Sequence, residues 1–445
     1  MKFLTAPGLI LVLSLGIHAD PCFSQTSSKE SAFNVNDSLS LPLILQKVLE
    51  TYPSVIKARE AINAAEAGIG LAKSSYYPVI DGNAGYTRLG PVSEITIPSA
   101  GSFQVYPENN YSANININQV IYDFGKTSRN VKLEESSKEL SEENVELVKQ
   151  RLTLLTSVSY YTLIYLQDAI KIKESQISIL KKHLDFVTKK METGSATEYE
   201  ILSTKVRLSN AENQKVDLET SRQTQMAIIN AFIGLPVKTE LKVNRNFIMD
   251  RPDENPDSLI QFALEHRNEM LLARLRKKHA ELHFRSVKVQ NNPSLNAFAT
   301  GGVKNGYLPD LNVPTANYAA GIGLRFMIFD ATRHKNNLKL VSSEINMSGQ
   351  EIDQVTRDIS TEVFQNETSL LASQKKIDQS SLQVEQAEEA LALAATSFKS
   401  GVITNLDLLD AESLLEESRI ILLRARIDYA INLVRLNISL GKPII

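Results

Sequence analysis

The stretch "NYSANININQVIYDFGK", residues 110–126, alternates apolar and amide side chains from Ala113 to Asn118 and then changes character at Asp123-Phe124-Gly125. A period of two describes a strand with unlike faces. Ala113, Ile115 and Ile117 fall on one face, and Asn114, Asn116 and Asn118 on the other. From Lys126 to Thr193 there is neither glycine nor proline. An unbroken helix there would be on the order of 100 Å long at about 1.5 Å per residue, wider than one compact domain. A two-faced strand therefore feeds directly into a helix too long for a globular core.

The same arrangement is written twice. Setting "VIYDFGK" (120–126) over "MIFDATR" (327–333) places Asp123 on Asp330, an offset of 207. That offset also places Gly194 on Gly401 and "IGLP" (233–236) on "LGKP" (440–443). The N-terminal parts align with Pro78 over Pro293, an offset of 215. Three landmarks agreeing without a gap mark an internal repeat. The expected first repeat covers residues 25–235, with a shorter helix over 39–75. Its strands are expected at about 77–88 and 111–122, and its long helices at about 126–192 and 198–233. A connector with Pro252 and Pro256 covers 236–257. The second repeat, 258–445, has expected strands at about 293–304 and 318–329 and long helices at about 333–399 and 405–440. Val363, Leu370, Ile377, Val384, Leu391 and Phe398 recur every seven residues. Thr156, Leu163, Ile170, Ile177, Leu184 and Met191 do the same one repeat earlier, so each long helix carries a coiled-coil seam. Gly194 and Gly401 can take the positive φ that ends one helix, and Thr197 and Asn405 are available to cap the next. Each repeat thus ends in an α-hairpin. On periodicity alone, a structural rod fits as well.

The strands narrow the choice. In "NYAAGIGLRFMIFD" Ile322 and Leu324 occupy the apolar parity, and Gly321, Gly323 and Arg325 the polar one. One face wants an apolar environment and the other wants water. About ten residues is also the length of a tilted outer-membrane barrel strand. Tyr76, Tyr77, Tyr86, Tyr111, Tyr122, Tyr307 and Tyr318 cluster near the strand ends, as an interfacial girdle would. A soluble β-meander alternates too and stays open as the alternative. Four strands cannot close a membrane barrel and an open edge is not tolerated in lipid, so the membrane reading demands oligomerisation: two chains would supply eight strands, three would supply twelve.

Bulk properties fit export. The chain has 445 residues, 43% hydrophobic, with a formal net charge of -3, so no basic field points to nucleic acid. Lys2 followed by the apolar run 9–17 and small residues is laid out as a secretory signal peptide, expected over 1–24 with the cut after Ser24. Cys22 is the only cysteine; Ala19-Asp20-Pro21 before it departs from the Leu-small-small of a lipoprotein box, which disfavours a lipid anchor there.

The chain resembles the TolC-like outer-membrane efflux proteins. The resemblance runs from "LSLPLILQKVLETYPSVIKAREAINAAEAGIGLAKSSYYPVIDGNAGY" to "AINLVRLNISLGKP", and includes the YDFGK strand exit and the glycine turn leading into "TNLDLLDAE". It implies a mainly α protein with a membrane β-barrel, assembled as a trimer with a twelve-stranded barrel in the outer membrane and an α-helical tunnel in the periplasm. It also implies docking to a periplasmic adaptor and an inner-membrane pump of the proton-driven (RND) or ATP-driven (ABC) kind. By position, the resemblance implies that Asp407, Asp410 and Glu200 form constricting carboxylate rings at the periplasmic end. Ile403 stands where some members place a latch arginine, and Thr332 where glycine is usual at the second strand exit. The alternative for the acids is ordinary helix N-terminal residues favoured by the macrodipole. The turns, with Gly194, Ser195 and Thr197 in the first and Gly401, Val402 and Thr404 in the second, are the expected adaptor contact. Asp123, Gly125 and Asp330 mark the strand exits. Ile115, Ile117, Ile322 and Leu324 are expected to face lipid, and Asn114, Asn116, Asn118 and Arg325 the lumen.

No catalytic constellation emerges. His279 and His283 in "HAELH" lack the glutamate placement of a zinc-protease motif; no cofactor or nucleotide site is expected, and no firm metal site beyond carboxylate rings able to take a divalent ion across the axis. The expected function is a passive exit duct of the Gram-negative outer membrane, with small-molecule efflux ahead of type I protein secretion. A non-conducting periplasmic scaffold is the contrasting reading.

Overall fold

A computed structural model of the chain describes residues 39–99, 101–244 and 256–442. The expected leader, Cys22 and residues 245–255 of the connector lie outside them. Pro53 supplies no amide and biases Tyr52 to extended backbone (φ −70°, ψ 132°), so the helix expected over 39–75 is two, α1 (Leu41–Thr51) and α2 (Pro53–Ser74). Strand β1 (Val79–Arg88) follows Pro78. The connection 89–109, expected as loop, contains a small hairpin, β2 (Glu94–Ile97) and β3 (Gly101–Gln104). Its four-residue strands are too short for the alternation test to register. Then come β4 (Asn109–Tyr122), α3 (Lys126–Glu192) and α4 (Glu198–Ile233). The second half has α5 (Pro256–His266), α6 (Asn268–Val289), β5 (Ser294–Lys304), β6 (Thr315–Arg325), α7 (Arg333–Lys399) and α8 (Asn405–Ser439).

Helices α3 and α7 each run 67 residues. They hold together because their seams are covered by neighbours. Val363, Leu370 and Phe398 are buried in α7, and Leu163, Ile170 and Ile177 in α3. Toward its C-terminus α3 departs from the strict heptad: Met191 is exposed, while Leu180, His183 and Val187 are buried. A straight helix drifts against a seven-residue repeat, so the buried line moves to neighbouring positions. Midway along, α1 packs Ile44, Leu45 and Val48 into a core with Tyr160, Leu163 and Ile164 of α3, Ile229 of α4 and Ile427 of α8. Leu259 and Ala263 of α5 make the equivalent core with Val363 and Leu370 of α7 and Leu433 and Leu436 of α8.

The packing order is the informative part. Near the glycine turns the helices lie side by side as α4-α3-α8-α7, and near the sheet as α2-α3-α6-α7. The sheet order is β1-β4-β5-β6, antiparallel throughout. The protomer is therefore an open layer along its whole length. One edge consists of β1, α2 and α4, the other of β6 and α7.

The strand expected over 318–329 is placed differently, at Thr315–Arg325. Its hydrogen-bonded partner β5 begins at Ser294, opposite Arg325, after Pro293, which cannot donate. Residues 326–329 have no strand to pair with among the described residues.

Candidate functional site

Strand register sorts the sheet into two chemically distinct faces. Ile80, Gly82, Ala84 and Tyr86 of β1 lie opposite Ile117, Ile115, Ala113 and Tyr111 of β4. Those in turn lie beside Ala299, Gly301 and Val303 of β5, which face Ala320, Tyr318 and Ala316 of β6. Ile322 and Leu324 complete the set opposite Ala297 and Leu295. Apart from the tyrosine hydroxyls, the polar side chains of this face are confined to the strand ends, Arg88 and Asn109 at one and Gln119 at the other, and it is uncovered: Ile322 is 73% and Tyr318 91% exposed. The reverse face carries Asp81, Asn83, Asn114, Asn116, Asn118, Thr300 and Arg325. Its polar side chains bond to one another across strands: Asn116 Nδ2 donates to the Asp81 carboxylate at 2.9 Å, and Thr300 Oγ1 donates to Asn116 Oδ1 at 2.8 Å. Phe298 breaks the polar pattern because its ring lies over Gly321, filling the space a side chain would otherwise take. No described helix is long and apolar enough to cross a membrane.

At each strand exit an aspartate turns the chain into a long helix. The Asp123 carboxylate accepts from the Gly125 amide at 2.9 Å and the Thr127 amide at 2.6 Å. Asp330 accepts from the His334 amide at 2.9 Å and from Asn291 Nδ2 at 2.8 Å. Such bonds satisfy the orphan donors of a helix start. The reversal needs two consecutive left-handed residues, Phe124 and Gly125 in the first repeat, Ala331 and Thr332 (φ 68°) in the second.

The opposite ends of these helices are the glycine turns. Gly194 (φ 76°) and Gly401 (φ 75°) terminate α3 and α7, and the next amides, Ser195 and Val402, donate back to Lys190 O at 2.8 Å and Ser397 O at 2.9 Å. This doubly bonded stop is one that glycine makes without strain. Thr197 caps α4, as expected; the cap of α8 is Thr404, not Asn405. Asn405 is instead buried and bonded to His183 of α3, and it donates to Thr204 of α4 at 3.5 Å. Val402 projects from the second turn, and Tyr199, Leu202 and Leu406 are exposed just beyond the turns.

The three acids singled out above each have a different partner within one chain. Glu200 turns to Thr197. Asp407 closes a capping box with Thr404, accepting from its amide at 2.9 Å and its hydroxyl at 2.7 Å, and these bonds hold its carboxyl below the usual range. Asp410 pairs with Arg207 of α4 at 2.6 Å, and Arg207 also donates to Ser413 at 3.1 Å. Arg207 thus ties the α3/α4 hairpin to the α7/α8 hairpin, a link no motif announced because its equivalent in the other repeat is Leu414. Behind it a groove of about 760 Å³ opens between α4 and α8 over α3, lined in part by Lys173, Gln214, Glu412 and Glu416. Lys173 is buried and donates to Gln176 at 3.0 Å, to Gln214 at 2.8 Å and to Glu416. Burial pushes the Glu412 carboxyl up to about 7 despite nearby Arg207, and its Oε2 has no hydrogen-bond partner. Burial likewise lowers His183. His279 and His283 sit on α6, His283 bonded to Glu344 at 2.9 Å. Among the described residues no group of three or more His, Cys, Asp or Glu is arranged to hold a metal ion.

Comparison with known proteins supplies the family. The chain matches the model of the family described as Outer membrane efflux protein over residues 44–235 and 259–442. It is 21% identical over 430 residues to the outer membrane protein TolC of Salmonella enteritidis, covering 91% of this chain and 85% of that protein. It is 22% identical over 338 residues to the alkaline protease secretion protein AprF of Pseudomonas aeruginosa, covering 75% of this chain and 70% of the other. In fold it is similar to the outer membrane protein VceC of Vibrio cholerae, with a TM-score of 0.76, 19% identity and coverage of 91% and 97%. The CmeC outer membrane channel of Campylobacter jejuni gives 0.78 at 15% identity, covering 90% and 85%. A mostly helical chain with two exposed layer edges, an uncovered apolar sheet face and this family match belongs to the outer membrane efflux protein family, the TolC-like proteins of the Gram-negative outer membrane.

Proposed function

We propose that three copies of this chain close edge to edge into a duct, its sheets forming a twelve-stranded barrel in the outer membrane and its helices a tunnel through the periplasm. The observation that carries this reading is the open layer: the same two edges stay uncovered from the sheet to the glycine turns. Identical heterologous edges join head to tail, and such a ring closes when the rotation allows. Two copies would give an eight-stranded barrel, whose interior side chains fill; twelve strands leave room for a lumen. The uncovered apolar face, with Ile115, Ile117, Ile322 and Leu324, then meets lipid, and Asn114, Asn116, Asn118 and Arg325 line the lumen. That face is costly for a periplasmic scaffold, which would expose it to water.

The duct has no energy source of its own, so an inner-membrane pump drives the cargo and a periplasmic adaptor joins it to the turns at 194–197 and 401–404. Small-molecule efflux is the leading use; the similarity to AprF, a secretion protein by name, supports protein secretion as the second. At the periplasmic end Asp407, Asp410 and Glu200, repeated by symmetry, form the constriction, and the Arg207–Asp410 pair helps hold it narrow. Rings of carboxylates concentrate cations. The test is single-channel recording of purified protein in a planar bilayer. Stepwise conductance blocked by millimolar divalent cations is expected, with the block weakened several-fold in Asp407→Ala/Asp410→Ala. A protein that assembles yet never conducts would sink the duct, and unchanged block would remove the two aspartates from the constriction.

A further inference from the structure

The repeat predicts how one copy meets the next. The offsets of 215 for the first strand of each half and 207 for the second come from sequence alone, and the structure obeys them: Val79 pairs with Asn118 as Ser294 pairs with Arg325. The seam between halves, β4 with β5, is the one place where the second strand of a repeat pairs with the first strand of the other. It places Ile115 opposite Gly301, Ile117 opposite Ala299, Asn118 opposite Phe298 and Val120 opposite Asn296. The uncovered edges, β6 and β1, are the same two kinds of strand.

We infer that β6 of one copy pairs antiparallel with β1 of the next in the register of the β4–β5 seam, with Ile322 opposite Tyr86, Leu324 opposite Ala84, Arg325 opposite Asn83 and Met327 opposite Asp81. This rests on the ring closure proposed above and specifies its contact.

Three observations support the register. Parity is kept, because Ile322 and Leu324 meet Tyr86 and Ala84 on the apolar face, and Arg325 meets Asn83 on the amide face. A slip of one residue would put Leu324 against Asn83 in one direction, or Ile322 against Thr87 in the other. Second, β4 continues as strand through Tyr122 because β5 is beside it, the last pairs being Val120 with Asn296 and Tyr122 with Leu295. The matching stretch after β6, Phe326-Met327-Ile328-Phe329, is unpaired and exposed, Ile328 by 86%. A neighbouring β1 supplies the missing partner and extends β6 toward Phe329. Third, Arg325 and Asp81 come diagonally adjacent on the same face, within reach of a long side chain. The equivalent positions in the internal seam, Asn118 and Asn296, are uncharged, so this ion pair belongs to the contact between copies.

Paired cysteines test it in a Cys22→Ser chain, oxidised in the outer membrane and run without reductant. Ile117→Cys/Ala299→Cys, opposite one another inside one chain, closes an intrachain disulfide and reports the fold. Leu324→Cys/Ala84→Cys should give a ladder up to covalent trimer, at least tenfold faster than Leu324→Cys/Gly82→Cys or Leu324→Cys/Tyr86→Cys. A faster ladder from either shifted pair overturns the register while leaving the ring standing. No ladder from any pair in a protein of oligomeric mass overturns the β6–β1 contact, whereas monomeric mass in detergent overturns the ring itself. Arg325→Asp should lower the temperature at which the oligomer dissociates, and Arg325→Asp/Asp81→Arg should restore it; failure of the double variant to recover removes the ion pair.

Discussion

Thr332 holds a left-handed backbone conformation (φ 68°) that its equivalent in the first repeat, Gly125 (φ 87°), adopts freely. For a β-branched residue this conformation costs about 1–2 kcal/mol, of which glycine's greater freedom in the unfolded chain returns about half. Thr332→Gly is therefore expected to stabilise the second strand exit by about 0.5–1 kcal/mol, seen as a higher unfolding midpoint, and an unchanged or lower midpoint would show that the Thr332 side chain compensates. The exit aspartates could be picked out in the sequence because a short acidic side chain between strand and helix has a local task. Asp407 shows the limit of that approach: its capping box with Thr404 was one of two roles open to it, and the cap does not decide the other.

Between elements, the seam joining the two hairpins near the turns is built from residues with no local signature. Lys173, Glu412 and Glu416 look like solvated-face charges in a helix; Lys173 becomes buried, and the two glutamates half-buried, only because α8 lies against α3. Glu412 makes this seam sensitive to pH. Burial raises its carboxyl from 4.5 to about 7, so the folded chain keeps a proton that the unfolded chain releases. Its contribution to stability is complete below about pH 4.5 and is lost as pH climbs through 7. Glu412→Gln should flatten the fall in stability between those values. Because the group is partly screened by solvent, the gain at pH 8 is expected to be about 1 kcal/mol. Equal pH dependence in wild type and variant, followed by thermal unfolding, would place the titration elsewhere.

At the scale of the molecule the decisive quantity is uncovered apolar area arranged by register. A charge at mid-height of the apolar face should be expensive in lipid, about 2–4 kcal/mol for lysine. Ile322→Lys is thus expected to lower the yield of heat-resistant oligomer, while Asn116→Lys on the amide face is tolerated; equal loss from both would mean that the faces are not lipid and lumen. The strand faces were legible in residues 113–118 because period-two alternation survives translation into a pleated strand, and the long helices because no glycine or proline interrupts 126–193. Strand ends were less legible, since 326–329 carries strand-like residues but pairing needs a neighbour, and none stands beside them among the described residues. What the sequence by itself determined is the repeat, the two-faced strands, the glycine stops and the family. Only the tertiary structure decided that Arg207 reaches Asp410, that Asn405 is buried against His183, and that β1, α2 and α4 form one edge against β6 and α7. Local pattern specifies which face of an element shuns water, whereas the identity of a partner across 200 residues depends on how helices are stacked, which no short-range periodicity encodes.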